Sequence, residues 1–590
     1  KDERDYATLL ENAIFTLEDK DYLKNVKRFN EDKAFNAGLA LCLTWINRIL
    51  FLKLLESQLL SYHNKAKEYK FLNNDFIGGF DDLNDLFFSA LAKKPEDRHP
   101  KFKDRYKYIP YLNSSLFEKN DLETDTFDIS ALNDDEIEVF KGTVLKTPNG
   151  KRFKGKLSTL DYLFKFLDAF DFAADGSEEI TDDEDSKALI SASVLGKIFE
   201  KLNGYKEGSF YTPSHITMYM CKETLRKAVT QKFKKNENEQ IDTYQDLISY
   251  CHNFFKHEDR KRLNDVFNQL KICDPAVGSG HFLVSALNEL IVIKHELGLL
   301  IDAKGKRLSD YDIEIVNDEL YITNEKGFLI EYKPDSNEST RVQHTLFQEK
   351  RAIIENSLFG VDINPNSVKI CRLRLWVELL KNAYYTNEGQ LQTLPNIDIN
   401  IKCGDSLISR FKLDEDLSKS FKGIDYNFKD YQQAVKQYKN SQSKEEKNNV
   451  LAIIKKVKNN FKSTFDSDAI ADRQKIVGKY ESEKIKQDNL VSLYNEKVTK
   501  EEKNRLKELK EAAEKALEKE KETLNNVIYE NAFEWRFEFP EVLNDKGDYL
   551  GFDAVIGNPP YIGIQEIPWD SRRYYETVYK TAEGRFDLYT

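Results

Sequence analysis

Cysteine is scarce in this chain of 590 residues, and its few occurrences have no pairing pattern. Cys42, Cys221, Cys251, Cys273, Cys371 and Cys403 fall mostly in apolar helical or strand contexts, so they read as reduced core thiols of a cytoplasmic protein, not as a disulfide framework. His252 and His257 stand near Cys251 with only loose ligand-like spacing in a polar segment, and no metal site is expected there. No run reads as long and apolar enough to span a membrane, and no signal peptide is visible. A surplus of positive charge is missing too. Lys and Arg total 89 against 101 Asp and Glu, a formal charge of −12, which excludes a globally basic nucleic-acid binder. Basic residues alternate with acids, as in Glu258-Asp259-Arg260-Lys261-Arg262, the pattern of a solvated helix face. Any DNA contact must come from a local patch.

What is present is enough apolar material, 40% of residues, to bury more than one core, and the length predicts two or three domains. Residues 1–185 read as an all-α domain. Within it, residues 34–60 repeat Leu, Ile, Phe and Trp at helical spacing around Asn47, Arg48, Lys53 and Glu56, which predicts a helix largely buried in a bundle. The acidic run 178–185 reads as a linker. Asp312 to Val316 and Glu319 to Thr323 flank Asn317-Asp318, a hairpin signal read as a surface insertion. Residues 412–531 are rich in lysine and glutamate, and 500–524 predict long exposed helices or a helical hairpin, with a flexible segment as the alternative. The triplets Glu31-Asp32-Lys33, Glu68-Tyr69-Lys70 and Glu331-Tyr332-Lys333 have the form of a metal-dependent nuclease motif. With 32% charged residues, chance explains them, and no nuclease is assigned.

The chemistry lies in the second half. Gly557-Asn558-Pro559-Pro560-Tyr561 follows a strand-like run, 552–556, and gathers the groups needed to methylate an exocyclic amine. Such an amine is a poor nucleophile because its lone pair is delocalised into the ring. The Asn558 oxygen and the Pro559 carbonyl can each accept an amine hydrogen, Pro560 helps to hold the backbone rigid, and Tyr561 can stack on the base. That geometry requires the base to leave the duplex. Upstream, Asp274-Pro275-Ala276-Val277-Gly278-Ser279-Gly280-His281-Phe282 follows the apolar 270–273 and reads as strand, turn and helix start, built for a small ligand. Asp362 ends another apolar run, where a carboxylate can accept both hydroxyls of a ribose; equally it precedes a helix capped by Asn364 and opened by Pro365. Thr212-Pro213 has the form of a helix cap and first helical residue.

In this order the motifs resemble the amino-methylating DNA methyltransferases that use S-adenosylmethionine, with cofactor motifs ahead of the catalytic one. The Asn-led motif resembles the N6-adenine branch. The similarity covers 193–590 and includes Phe210-Tyr211-Thr212-Pro213, Phe359-Gly360-Val361-Asp362-Ile363-Asn364-Pro365, Cys403-Gly404-Asp405-Ser406-Leu407 and Gly584-Arg585-Phe586-Asp587-Leu588-Tyr589. The helical N-terminal region and 533–541 are similar to type IIG restriction-modification polypeptides.

The resemblance implies a doubly wound α/β, Rossmann-like methyltransferase sheet, with 186–411 holding the cofactor, 412–531 inserted and 532–590 carrying the catalytic motif. It implies Asn558, Pro559, Pro560 and Tyr561 as catalytic. It implies Tyr211, Thr212, Pro213, Asp274, Pro275, Ala276, Gly278, Ser279, Gly280, Phe282, Asp362, Ile363, Asp405, Ser406 and Leu407 as holding S-adenosylmethionine, with Asp405 accepting from the adenine amine and Tyr211 and Thr212 closing over the cofactor. Double-stranded DNA is the expected partner. Because the chain starts at Lys1 and stops soon after the catalytic motif, it is expected to be a fragment whose DNA-reading domain lies elsewhere. Cytosine, RNA or a glutamine side chain remain alternative substrates, and a noncatalytic cofactor-binding specificity or scaffold subunit is the alternative of another class.

Overall fold

The computed structural model describes residues 8–590 apart from 27–31, 113, 174–187, 192–193, 196–197, 199–211, 393, 395–399, 412, 414–420, 422–426, 441–443, 495–498, 526, 530, 545, 585 and 589–590. The acidic run 178–185 and Tyr211 therefore lie outside the described residues. The chain divides into two compact units: Lys1–Gly360 with Asn364–Ile401 and Phe552–Asn558, and Val361–Ile363 with Lys402–Gly551 and Pro559–Thr590.

In the first unit, the apolar spacing of 34–60 becomes the helix Lys33–Tyr62, with Leu41, Trp45, Leu52, Leu55 and Leu59 in the core. The polar residues interrupting that run are partnered inside. Arg48 Nη2 and Trp45 Nε1 donate to the Glu123 carboxylate at 2.8 and 3.0 Å, and Glu56 accepts the backbone amides of Phe71 and Leu72 at 2.7 and 2.6 Å. By length and composition this helix is apolar enough to cross a membrane, which corrects the expectation that no run is. Its most apolar stretch is nevertheless 78% buried within the protein's own packing, where the paired charges serve a core.

The N-terminal region is mainly helical, but all-α is corrected by short strands. Glu136–Glu138 pairs antiparallel with Lys156–Ser158, and Asp171–Ala173 pairs parallel with Leu189–Ser191. In the first pair Glu138 faces Lys156, so opposite charges stabilise three-residue strands too short to show an apolar period.

A mixed α/β arrangement follows, centred on a four-stranded sheet in the spatial order Ala554–Val555, Ile272–Asp274, Leu358–Asp362, Ile401–Cys403. Ile272 and Cys273 pair parallel with Ala554 and Val555 on one side and with Leu358 and Phe359 on the other. From the central strand Ile272–Asp274 the chain runs outward one way, then returns to add its last strand on the opposite side. The order therefore reverses there, and in parallel sheets ligands gather outside the strand ends at such a reversal.

The helices Ser214–Asn236 and His281–Glu296 pack together through Arg226, whose guanidinium meets Glu289 and Glu296 at 2.9 Å each. Tyr311–Val316 and Glu319–Asn324 form the expected hairpin, with Asn317 and Asp318 both at positive φ, 53° and 69°, as a two-residue turn requires. Only half of its turn is on the surface: Asn317 is exposed and Asp318 is buried. Asp318 Oδ1 accepts from Ser285 Oγ and its carbonyl from Asn288 Nδ2, both at 2.7 Å, so a polar turn satisfies polar groups of a buried helix. Asn364 caps Pro365–Leu380, accepting from the Asn366 amide at 2.8 Å, as its sequence predicts.

The second unit is built around Phe428–Asn440, Lys444–Tyr494 and Lys500–Asn525, the helices expected of the lysine/glutamate-rich segment. Gln487 Nε2 donates to the Glu502 carbonyl at 2.7 Å, joining the two long helices as a hairpin. Tyr431 is buried and donates to the Phe537 carbonyl at 2.6 Å.

Candidate functional site

Each unit carries part of the motif set. In the first, the strand Ile272–Asp274 delivers a carboxylate that is 1% exposed, and its Oδ1 accepts the Ala276 amide at 3.0 Å across Pro275. The turn then needs glycine for two different reasons. At Gly280, φ is 83° and a Cβ would lie 2.7 Å from Cys371 Sγ, so the helix behind it closes that side. At Gly278, φ is 51° and a Cβ would meet nothing within 4 Å, so the backbone there faces open space. A turn closed behind and open in front, running straight into the N-terminus of His281–Glu296, suits the carboxylate end of a methionine-like group. Arg374 Nη1 holds the Ser279 carbonyl at 3.2 Å. Phe282 points into the core, where it packs as a buried residue.

The strand Ala554–Val555, which leads into the Asn-Pro-Pro-Tyr motif, runs beside this turn. Ile556 donates to the Cys273 carbonyl at 2.9 Å, and the next residue, Gly557, passes so close to Asp274 that a Cβ would sit 2.4 Å from its Oδ1. Asn558 follows, its Nδ2 donating to Thr212 Oγ1 at 2.9 Å. Thr212, Asp274 to Gly280, Gly557 and Asn558 are thus gathered within one unit. The expected cap is displaced by one residue. The helix is Ser214–Asn236 with Pro213 at the cap position, accepting from the Ile216 and Thr217 amides, and no side chain caps it, since proline carries no side-chain acceptor.

In the second unit the Asp362 carbonyl accepts from the Gly404 amide at 2.9 Å, and Ile363 is left largely exposed for a large aliphatic residue. Asp405 Oδ1 accepts from the Leu407 amide at 2.9 Å, and burial pushes its carboxyl above the usual range despite that bond. The loop is held by residues to which the sequence reading gave no role. Trp535 Nε1 donates to the Ser406 carbonyl at 3.0 Å, the Tyr579 hydroxyl to that of Leu407 at 2.6 Å, and the Tyr574 hydroxyl to that of Ser409 at 2.7 Å. Glu534 accepts from Ser409 Oγ at 2.7 Å and the Arg410 amide at 2.9 Å, and its burial raises its pKa. Only the adjacency Phe533-Glu534-Trp535 hinted at this.

Beyond Pro559 and Pro560, Ile562 donates to the Pro560 carbonyl at 3.0 Å, and Tyr561 is 60% exposed. Gly563 bridges to Asp587, while Arg585 and Tyr589 lie outside the described residues. No cluster of three or more metal-ligating side chains occurs among the described residues.

A mixed α/β protein with a parallel sheet, a glycine turn and an Asn-Pro-Pro-Tyr motif at adjacent strand ends is the class defined so far. Comparison with known proteins shows what its segments are similar to. Residues 356–590 match the Eco57I restriction-modification methylases, and residues 1–190 match a domain of unknown function, DUF7814. The resemblance read from the motifs to restriction-modification methyltransferases is thereby borne out. A putative type II restriction enzyme and methyltransferase from Methanocaldococcus jannaschii is 30% identical over 387 residues, covering 62% of this chain. The chain spans 27% of that relative's length. A solved structure of the type IIL restriction-modification enzyme MmeI in complex with DNA aligns over 70% of this chain and 41% of its own, with 14% identity and a TM-score of 0.32.

Proposed function

We propose that this protein transfers the methyl group of S-adenosylmethionine to the N6 amine of an adenine flipped out of double-stranded DNA, in the cytoplasm, as the modification activity of a type IIG restriction-modification polypeptide. The observation that carries the reading is the approach of Gly557 to Asp274, which sets the Asn558 motif at the rim of the glycine turn, beside the strand where the sheet order reverses. That reversal supports a doubly wound, Rossmann-like sheet.

S-adenosylmethionine, when bound, supplies an electrophilic methyl group. Asp274, Gly278, Ser279 and Gly280 would hold its methionine part, and the motif resemblance assigns Asp362 to its ribose and Asp405 to its adenine. The Asn558 oxygen and the Pro559 carbonyl draw the amine hydrogens toward themselves, so that the nitrogen lone pair becomes available for one in-line displacement. The exposed Tyr561 ring stacks on the extruded base. The amine sheds its proton after transfer, and no covalent enzyme intermediate is needed.

The test is incubation of the protein with labelled S-adenosylmethionine and unmethylated bacterial DNA, followed by digestion and mass analysis of the nucleosides. Labelled N6-methyldeoxyadenosine is expected. Label in N4-methyldeoxycytidine, or cofactor binding without transfer, would replace this reading with the corresponding alternative.

A further inference from the structure

Asn558 and Thr212 are separated by 346 residues and meet in a single side-chain hydrogen bond of 2.9 Å, Nδ2 to Oγ1. An asparagine amide offers a donor and an acceptor on the same planar group, and turning it over exchanges them. Accepting an amine hydrogen requires the oxygen. With the amide nitrogen committed to Thr212, the oxygen is the atom left for the target.

Both partners are rigidly mounted. Asn558 extends a strand locked to the Cys273 carbonyl through Ile556. Thr212 stands just before Ser214–Asn236, whose first turn is pinned from inside. Thr217 Oγ1 bonds to Ser285 Oγ at 2.9 Å, and Ser285 Oγ donates to Asp318 Oδ1 at 2.7 Å, all three residues being buried. The hairpin turn therefore anchors the helix that carries Thr212.

We propose that Thr212 is a positioning residue that orients the Asn558 amide, with its oxygen toward the substrate amine, and that the Thr217–Ser285–Asp318 relay fixes where Thr212 stands. This rests on the methyltransferase reading above and goes beyond the cofactor-closing role that the motif resemblance implies for Thr212.

The intact protein and its Thr212→Val and Thr212→Ser variants are compared by single-turnover methyl transfer to bacterial DNA, with S-adenosylmethionine affinity from calorimetry. Thr212→Val should slow transfer at saturating cofactor by roughly 10–100-fold, the scale of a lost positioning contact, with affinity changed less than about twofold. Thr212→Ser, which keeps the hydroxyl, should stay near the parent. A loss of cofactor affinity with unchanged saturated rate, or a serine variant as slow as valine, would overturn the proposal. Selective labelling of asparagine with nitrogen-15 gives a readout free of activity. The Asn558 side-chain amide, identified by its absence in Asn558→Ala, should exchange slowly with solvent in the parent and serine proteins and fast in valine. Equal exchange in all three would also overturn it. If the parent transfers no methyl group, the functional reading fails, and this exchange measurement still decides the Thr212 assignment.

Discussion

At the scale of single residues, Gly557 and Asn558 stand side by side and do different work. A methyl group at Gly557 would lie 2.4 Å from a carboxylate oxygen that is itself buried and bonded to the Ala276 amide, so neither side has room to give. Gly557→Ala should therefore destabilise the first unit by about 1–3 kcal/mol, the range for overpacking, and abolish transfer by shifting the strand end. Denaturant unfolding and methyl-transfer assays check both effects; an alanine variant of parental stability would mean the strand and turn are not pressed together. Asn558 holds no structural bond beyond Thr212 among those seen, so Asn558→Ala should leave stability and cofactor binding nearly intact. Transfer should fall on the order of 10²–10³, as when one preorganised catalytic hydrogen-bond partner is deleted. A variant with near-parental turnover would remove Asn558 from the chemistry.

At the scale of elements, the strand ends and helix starts were legible because local rules set them. Asp362 ends an apolar strand, Asn364 and Pro365 open the next helix, and Asn317-Asp318 turns a hairpin, each from residues adjacent in the chain. The contacts that hold the site were not. Thr217, Ser285 and Asp318 meet from three elements, and no spacing rule links partners 68 and 33 residues apart. For the same reason the hairpin read as a surface insertion, since its alternating strands do not reveal that Asp318 in the turn is buried while Asn317 beside it is exposed. That burial has a titration signature. Asp318 is raised from 3.8 to about 6, chiefly by burial, with the Ser285 hydrogen bond and the Arg374 charge opposing. Because the folded value lies above the unfolded one, the favourable contribution belongs to the protonated acid. It is present in full below about 4 and is lost as pH rises through about 6. Relative to Asp318→Asn, which carries no titratable group there, the parent should lose up to about 3 kcal/mol of stability between pH 4 and pH 7.5. Denaturant unfolding at several pH values measures this, and parallel stability curves for the two proteins would show that Asp318 does not titrate in that window.

At the scale of the whole molecule, the governing quantity is charge. The formal net charge of −12 repels a polyanion at long range, and several basic groups near the methyltransferase motifs are tied to acids. Lys232 meets Asp553 at 3.0 Å beside the strand Ala554–Val555, Arg226 binds Glu289 and Glu296, and Lys234 contacts Asp242 at 2.5 Å. A cation that neutralises a neighbouring carboxylate displaces few counterions from DNA, and counterion release supplies most nonspecific affinity. The exposed aromatic and apolar residues near the motifs, Tyr561 and Ile363, suit stacking on a base already extruded more than gripping a duplex. These 590 residues alone should therefore bind duplex DNA weakly, without sequence preference, and with a shallow dependence of affinity on salt, because few phosphates are contacted. Gel-shift titrations with random and genomic duplexes at low and moderate salt measure all three properties. A steep salt slope combined with selective binding would instead locate a base-reading surface within this chain. The helical N-terminal region and the long helices Lys444–Tyr494 and Lys500–Asn525 would then be the first places to search for it, by substituting their exposed lysines in groups and following the slope.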